Sequence, residues 1–443
     1  MKTNLSSSFF YIENYDSDMI KSKLITGIQK IGGFSKFFKD NEKILLKPNL
    51  LASDNPETGV ITHPIFLEGV IKFFLSQIKE NNINLTLACG DSPAISSAKK
   101  VAREAGIYQI CEKYNIPFIE FIHKTTLNID KASNINLNNL SINGFDSKNN
   151  SNRTQSKNII KNFDISKEIL EYDKIISLPK LKNHSLTLFT GGIKNLFGCI
   201  PGKTKAYYHT RFPDSVLFSK MLVDLADSLK TGICIMDGII AHEGHGPRGG
   251  NPIKLGYIII GENPFIVDLL ASTLVGYDPA QIPFLKYYSE KHGVSLNIKD
   301  HEISGDSLVF RKDFKRISTY KKTVIPEKYR KGFFYNYLIS SRPSFDRKKC
   351  ILCMQCYNIC PTNPKSISIL NKHRIKDSYK DANNSQSEQN IERANIDYNH
   401  KNKLKLKYNY DTCIRCFCCQ EICPEKAIII KHSPVSKILR KLN

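Results

Sequence analysis

The chain has 443 residues, 41% of them hydrophobic, no Trp, thirteen Cys and a formal net charge of +22. At about 150 residues per domain this length suits two or three domains with a sizeable core. No run of about 18 apolar residues is present to span a membrane, and the basic residues are scattered rather than interleaved with aromatics, which argues against a nucleic-acid partner.

The charge reads either as an ordinary basic surface or as attraction to an acidic redox protein. The N-terminus lacks the apolar core of a signal peptide. A reducing, cytoplasmic setting is therefore expected, where closely spaced Cys residues indicate metal binding or catalysis rather than disulfides.

Residues 1–310 alternate between two patterns. Short apolar runs at 43–48, 85–89, 174–178, 232–236 and 257–260 are each closed by Pro, Gly or Asp. They are apolar on both faces, as buried parallel strands are. Between them, 64–79, 97–106, 215–230 and 264–275 carry helical spacing. The pattern predicts an α/β domain with a mainly parallel sheet, whose ligand site lies beyond the C-terminal ends of the strands. Residues 128–161 and 372–403 are polar, Asn- and Ser-rich insertions. The basic, aromatic stretch 311–345 reads as a connection, and 433–443 as a basic tail.

Near the C-terminus, Cys350-Ile-Leu-Cys353-Met-Gln-Cys356-Tyr-Asn-Ile-Cys360-Pro361 has the form C-x2-C-x2-C-x3-C-P. Cys413-Ile-Arg-Cys416-Phe-Cys-Cys419-Gln-Glu-Ile-Cys423-Pro424 repeats it. Three cysteines at this spacing can wrap three corners of an iron–sulfur cube, and the fourth corner needs a thiolate from elsewhere. Structural zinc, which takes paired C-x2-C units, fits poorly. Residues 346–432 resemble bacterial ferredoxins. The resemblance implies a small α+β ferredoxin-type domain with two 4Fe-4S clusters. It also implies that the last Cys of each motif serves the other cluster: Cys350, Cys353, Cys356 and Cys423 for one, Cys413, Cys416, Cys419 and Cys360 for the other. Two departures stand out. The 52 residues between Cys360 and Cys413 exceed the family's compact gap, and Cys418 is an extra thiol, read as a non-ligand.

Four segments of the first domain form a second signature. They are Lys47-Pro48-Asn49 with Thr62-His63-Pro64; Gly90-Asp91-Ser92-Pro93; Leu178-Pro179-Lys180-Leu181-Lys182-Asn183-His184 with Gly191-Gly192-Ile193-Lys194-Asn195-Leu196-Phe197-Gly198; and Asp237-Gly238 with Glu243-Gly244-His245-Gly246-Pro247. Gly250-Asn251-Pro252 and Asp268 also fit. These segments resemble the bacterial and archaeal family named domain of unknown function 362, often fused to a ferredoxin module. The resemblance implies a fold and a redox association, without a reaction.

Taken residue by residue, 180–198 is the most site-like stretch. Lys180, Lys182, His184 and Lys194 lie close together, and Gly191 and Gly192 precede a helix. Backbone N–H groups there suit an anionic ligand or cofactor, although the same residues also describe a tight turn with solvated lysines. Lys47, Asn49 and Asp91 end buried strands and join the candidate ligand set. Asp91 reads equally as an Asx turn. His242, Glu243 and His245 suit a divalent metal or proton transfer; the alternative is a Gly-rich loop with hydrogen-bonding histidines. Cys89, Cys111, Cys199 and Cys234 read as small buried hydrophobes.

Three functions follow. One is an oxidoreductase in which the clusters exchange electrons with an anionic small molecule, His184, His245 and Glu243 handling protons. The second is a relay protein without chemistry of its own, serving a redox partner protein. The third is a non-redox, metal-dependent enzyme with structural clusters.

Overall fold

The computed structural model describes residues 4–94, 96–129, 158–317, 332, 336–337, 341–371 and 404–431. The chain divides into two compact units, Met1–Lys321 and Lys322–Asn443. Most of the insertion predicted at 128–161, all of that at 372–403, much of the connection and the basic tail lie outside the described residues.

The first unit is built on one large, mostly parallel sheet. Its strands are β1 (Ser6–Tyr11), β2 (Glu42–Pro48), β3 (Leu85–Asp91), β4 (Phe118–Glu120), β7 (Lys174–Leu178), β8 (Lys180–His184), β9 (Leu188–Thr190), β10 (Thr231–Glu243), β11 (Asn251–Gly261) and β12 (Glu302–Gly305). A separate antiparallel pair joins β5 (Lys124–Asn128) to β6 (Asn162–Ser166). The main order is β12-β1-β11-β10-β7-β2-β3-β4, with β8 and β9 hanging from β10. Strands β10, β7, β2, β3 and β4 run parallel. From β2 the chain steps outward to β3 and β4, then returns to β7 on the other flank and continues to β10 and β11. The direction of winding thus reverses between β2 and β7, and a crevice opens at such a point beyond the strand C-termini.

The central strands bury both faces. In β10, Ile233 and Ile235 enter one core while Cys234 and Met236 enter the other; in β11, Ile258 and Ile260 oppose Tyr257 and Ile259. A two-residue period across a sheet covered on both sides produces this split. One core is closed by the helices Ser17–Lys30 and Pro64–Asn81, the other by Ser215–Ser228, Pro264–Leu274 and Pro283–His292.

The predicted runs at 43–48, 85–89 and 174–178 are parallel strands. The run at 257–260 is the middle of β11, which is antiparallel to both β1 and β10. Its apolarity on both faces reflects burial and carries no information about direction. Cys89, Cys111, Cys199 and Cys234 are core residues, each at most 1% exposed.

Local capping sets the helix starts. Asp214 accepts from Val216 N (2.8 Å) and Leu217 N (3.3 Å) at the head of Ser215–Ser228, a helix with ten buried residues. Asp214→Ala is expected to cost about 1 kcal/mol, read as a lower urea midpoint at unchanged slope.

Candidate functional site

Strands β2 and β3 are adjacent and parallel, so their C-terminal residues Lys47 and Asp91 meet. Lys47 Nζ lies 2.7 Å from Asp91 Oδ1, with the side chains 1% and 3% exposed. Asp91 is also held by Ser92 N at Oδ1 and Leu50 N at Oδ2, each 2.8 Å. The carboxylate therefore makes a buried ion pair and accepts from two backbone N–H groups, while the Asx-type turn is precluded because Pro93, two residues on, has no N–H.

Asn195 locks the arrangement from the short helix Gly192–Asn195 after β9. Its Nδ2 donates to Lys47 O (3.1 Å) and Ser177 Oγ (3.0 Å), and its Oδ1 accepts from Lys47 Nζ (3.4 Å) and Asn49 Nδ2 (3.2 Å). Asn49 Oδ1 in turn accepts from Lys182 Nζ at 2.7 Å, and Lys182 also donates to Val60 O at 2.7 Å. Gly198 packs over the ion pair so closely that a β-carbon would collide with both Asp91 and Lys47.

Strand β8 explains the lysine spacing. Alternation places Lys180 and Lys182 on one face. Lys180 sits in register with Asp237 of β10. Its Nζ is 2.8 Å from Asp237 Oδ2, both side chains are fully buried, and Tyr15 OH, 2.6 Å from that Nζ, donates to Asp237 Oδ1 at 2.9 Å. Burial pulls the Lys180 ammonium below its ordinary range, and Asp237 opposes the shift. Burial and Asp237 both push the Tyr15 phenol well upward.

The Tyr15 ring stacks on His63, centroids 3.7 Å apart at 11°. His63 Nδ1 accepts from Ile65 N (3.2 Å), so Nε2 carries the proton toward Glu57 Oε1 at 3.0 Å. Burial holds this imidazole below its usual pKa, against the pull of Glu57.

The glycines of the predicted anion site already hold an anion from within the chain. Asp268 Oδ1 accepts from Gly192 N at 2.5 Å and Oδ2 from Ile193 N at 3.0 Å, and a β-carbon on Gly191 would overlap that carboxylate. Burial pushes Asp268 up to about 7. Lys194 lies over the Phe197 and Phe218 rings, at 5.6 and 5.8 Å. His184 Nδ1 accepts from Leu186 N (3.0 Å) and shapes the β8–β9 turn.

Strand β10 runs on past Asp237 and takes in His242 and Glu243, and the His242–Glu243–His245 motif does not converge. His242 bridges Thr58 O (2.9 Å) and Gly250 N (3.0 Å), Glu243 binds Lys315 through its backbone N–H (2.8 Å) and its ammonium (3.4 Å), and His245 is exposed. Among the described residues no three His, Cys, Asp or Glu side chains gather as a single metal ion requires.

Tyr15 and Lys205 escaped the sequence reading, because neither stands in a motif. Lys205 Nζ donates to Ser92 O (2.6 Å) and Ile200 O (2.5 Å), and burial lowers it to about 7, with Asp91 and Lys47 within electrostatic reach. The only readable signal was a lysine on the buried face of a short helix.

In the second unit, β13 (Arg342–Phe345) pairs with β16 (Ile428–Lys431), and β14 (Ile367–Asn371) with β15 (Leu404–Tyr408). The first pairing sets Phe345 opposite Ile428, bringing the start of the first Cys motif to the end of the second. Accordingly, Cys350, Cys353, Cys356 and Cys423 line one cavity, walled by Leu352, Met354 and Leu406. The second pairing sets Ile367 opposite Tyr408, and Cys360 lies within electrostatic reach of Cys413, as Cys413 and Cys416 do of Cys419.

The loops repeat as well. The residues flanking the second Cys of each motif adopt positive φ: Leu352 and Met354 (both 59°), Arg415 (57°) and Phe417 (61°). Each such non-glycine residue costs roughly 1–2 kcal/mol. Alternating turns of this kind point backbone N–H groups inward, as at anionic iron–sulfur sites. Burial pushes the Cys356 thiol to about 12 and Cys413 to about 11, so a cationic metal core is what would hold them as thiolates. Cys418, 5% exposed, hydrogen-bonds to Cys416.

Lys205 and Asp268 give stability opposite pH slopes. Asp268 has a raised folded pKa, so its contribution is full below the unfolded value near 4 and is lost as pH rises toward about 7. Lys205 has a lowered folded pKa, so stability rises with pH between about 7 and about 10. Asp268→Asn should flatten the acidic limb and Lys205→Met the alkaline one, each by a few kcal/mol in denaturant titrations across pH.

A family model described as a domain of unknown function, DUF362, matches residues 44–273, and one described as a 4Fe-4S dicluster domain matches 342–424. The chain is 32% identical over 280 residues to the thylakoid-associated protein sll1697 of Synechocystis sp. (strain ATCC 27184 / PCC 6803 / Kazusa), covering 63% of this chain and 77% of that protein. No solved structure matches. With more than half its length matched, the chain belongs to the DUF362 family, and its 4Fe-4S dicluster domain makes it an iron–sulfur protein.

Proposed function

We propose that this protein is an oxidoreductase in which two 4Fe-4S clusters, held in a ferredoxin-type module, exchange electrons with an anionic ligand of the α/β unit. The observation that carries the cluster part is the cavity in which three cysteines of the first motif are completed by Cys423 of the second. That arrangement supports the crossed ligation of two-cluster ferredoxins. Cys360 then completes the set of Cys413, Cys416 and Cys419, and Cys418 stays outside both.

The ligand part rests on the lysines gathered at the reversal of strand winding. Lys47 and Lys180 are neutralised by Asp91 and Asp237, so they shape the crevice more than they bind in it. Lys205, whose ammonium meets carbonyl oxygens, joins Lys182 and Lys194 as a cation for an incoming carboxylate or phosphate. His63, hydrogen-bonded to the exposed Glu57, is better placed to pass a proton to solvent than His184, which is occupied in a turn.

The internal neutralisation of Lys47 and Lys180 also favours a second reading, in which the α/β unit docks a partner and the clusters only relay electrons. In either case a reducing, cytoplasmic compartment suits thirteen cysteines. The Synechocystis relative is thylakoid-associated by name. Among the described residues here no helix is long and apolar enough to cross a membrane.

Anaerobically purified protein should contain about eight irons and eight sulfides. Cys423→Ser and Cys360→Ser should each lower the iron content by about four; stoichiometric zinc without sulfide would overturn the cluster assignment. With the clusters reduced, candidate acids and phosphates are added in turn. Ligand-dependent reoxidation that is lost in Lys182→Ala or Lys205→Met supports the enzyme. Reoxidation by protein acceptors alone favours the relay.

A further inference from the structure

The two cysteine sets differ in their access to solvent. Cys353 of the first set is exposed, Cys356, Cys416 and Cys419 are buried, and the other four are partly exposed. Beside Cys353 stands Ile351, 48% exposed, an apolar side chain facing water next to a redox centre. The chain entering this loop is the turn Arg347-Lys348-Lys349, all three side chains exposed. Asp346 holds the turn rigidly: its Oδ1 accepts from Lys348 N at 3.0 Å, its N–H donates to Ala427 O at 2.7 Å, and its carbonyl accepts from Cys350 N at 3.1 Å. None of the three basic side chains pairs with an acid among the described residues. On the opposite lip of the same cavity lie Pro424, Glu425 and Ala427. The lip thus carries an excess of positive charge around a small apolar contact, at the set that contains the exposed thiol Cys353.

We propose that this lip, Arg347, Lys348 and Lys349 around Ile351, is the docking surface for a small acidic one-electron carrier protein, which exchanges electrons with the cluster on Cys350, Cys353, Cys356 and Cys423. The proposal rests on the cluster assignment above and adds the entry point and the charge of the partner. Each encounter moves one electron: the carrier is oxidised by one electron, the exposed cluster is reduced by one, and no bond is made or broken. Opposite charge raises the encounter rate and orients the carrier, and Ile351 supplies the dry contact that fixes it. The second set, Cys360, Cys413, Cys416 and Cys419, receives its electrons from the first.

The test is stopped-flow reduction of the full-length, cluster-loaded protein by a reduced acidic flavodoxin at low and high salt. The variants are Arg347→Glu/Lys348→Glu, Lys348→Glu alone, and Lys407→Glu as a charge-changing control on an exposed residue of β15. The double variant should slow reduction roughly ten-fold or more at low salt and lose most of the salt dependence, with the single variant intermediate and the control near wild type. Reduction by methyl viologen, a small cation, should not slow in any of them. Equal flavodoxin rates in wild type and double variant overturn the proposal. So does a double variant that keeps its flavodoxin kinetics but no longer binds anionic phospholipid vesicles, which would make the lip a membrane contact. Wild-type protein that carries no iron and sulfide would overturn the cluster assignment itself, and this proposal with it.

Discussion

Two ammonium–carboxylate pairs form one polar layer: Lys47–Asp91 joins the C-terminal ends of β2 and β3, and Lys180–Asp237 joins the start of β8 to the middle of β10, with all four side chains nearly or wholly out of water. Charges so placed are expensive, and removing one partner of such a pair costs roughly 3–5 kcal/mol because the other is left stranded. The surrounding residues answer that cost. Asn195, Ser92 and Leu50 satisfy the first pair, Tyr15 and the His63 amide the second. Gly198 leaves room for the first pair because it has no side chain.

The layer lies where the winding of the sheet reverses, between β2 and β7. Adjacent strands wound in opposite directions leave no covering connection above their C-termini, so loops from distant parts of the chain can converge there. Thr62 Oγ1 illustrates this: it donates to Leu178 O at 2.7 Å and accepts from Asn49 N at 2.8 Å, joining three segments through one hydroxyl. Asp268 performs the same task on the far side, reaching the backbone of Gly192 and Ile193. In both places an internal group meets backbone or side-chain donors that looked, in one dimension, as if they awaited a ligand.

The cysteine module obeys a different constraint. Its two-stranded pairs are short, and its backbone spends positive φ at four non-glycine residues in matching positions. Free loops would relax such turns; a metal–sulfide core bound by both motifs would compensate for them. The crossed ligation proposed above would tie the two motifs together covalently through the clusters, a strong constraint for a domain with a small hydrophobic core.

By itself the sequence determined the iron–sulfur module, the alternation of strands and helices, and the set of polar residues that end the buried strands. Ligand spacing and hydrophobic period are local properties, and both survive in one dimension. Tertiary structure alone decided which of those polar residues neutralise one another. Lys47 and Asp91 are 44 residues apart and Lys180 and Asp237 are 57 apart, and their partnership follows from strand order and register, which depend on how the whole sheet is wound. It also decided that β11 runs antiparallel, that Asp268 fills the Gly191–Gly192 turn, that His242, Glu243 and His245 face different neighbours, and that Tyr15 and Lys205 belong to the polar layer. None of these has a local signature, because each is a contact between segments brought together only by packing.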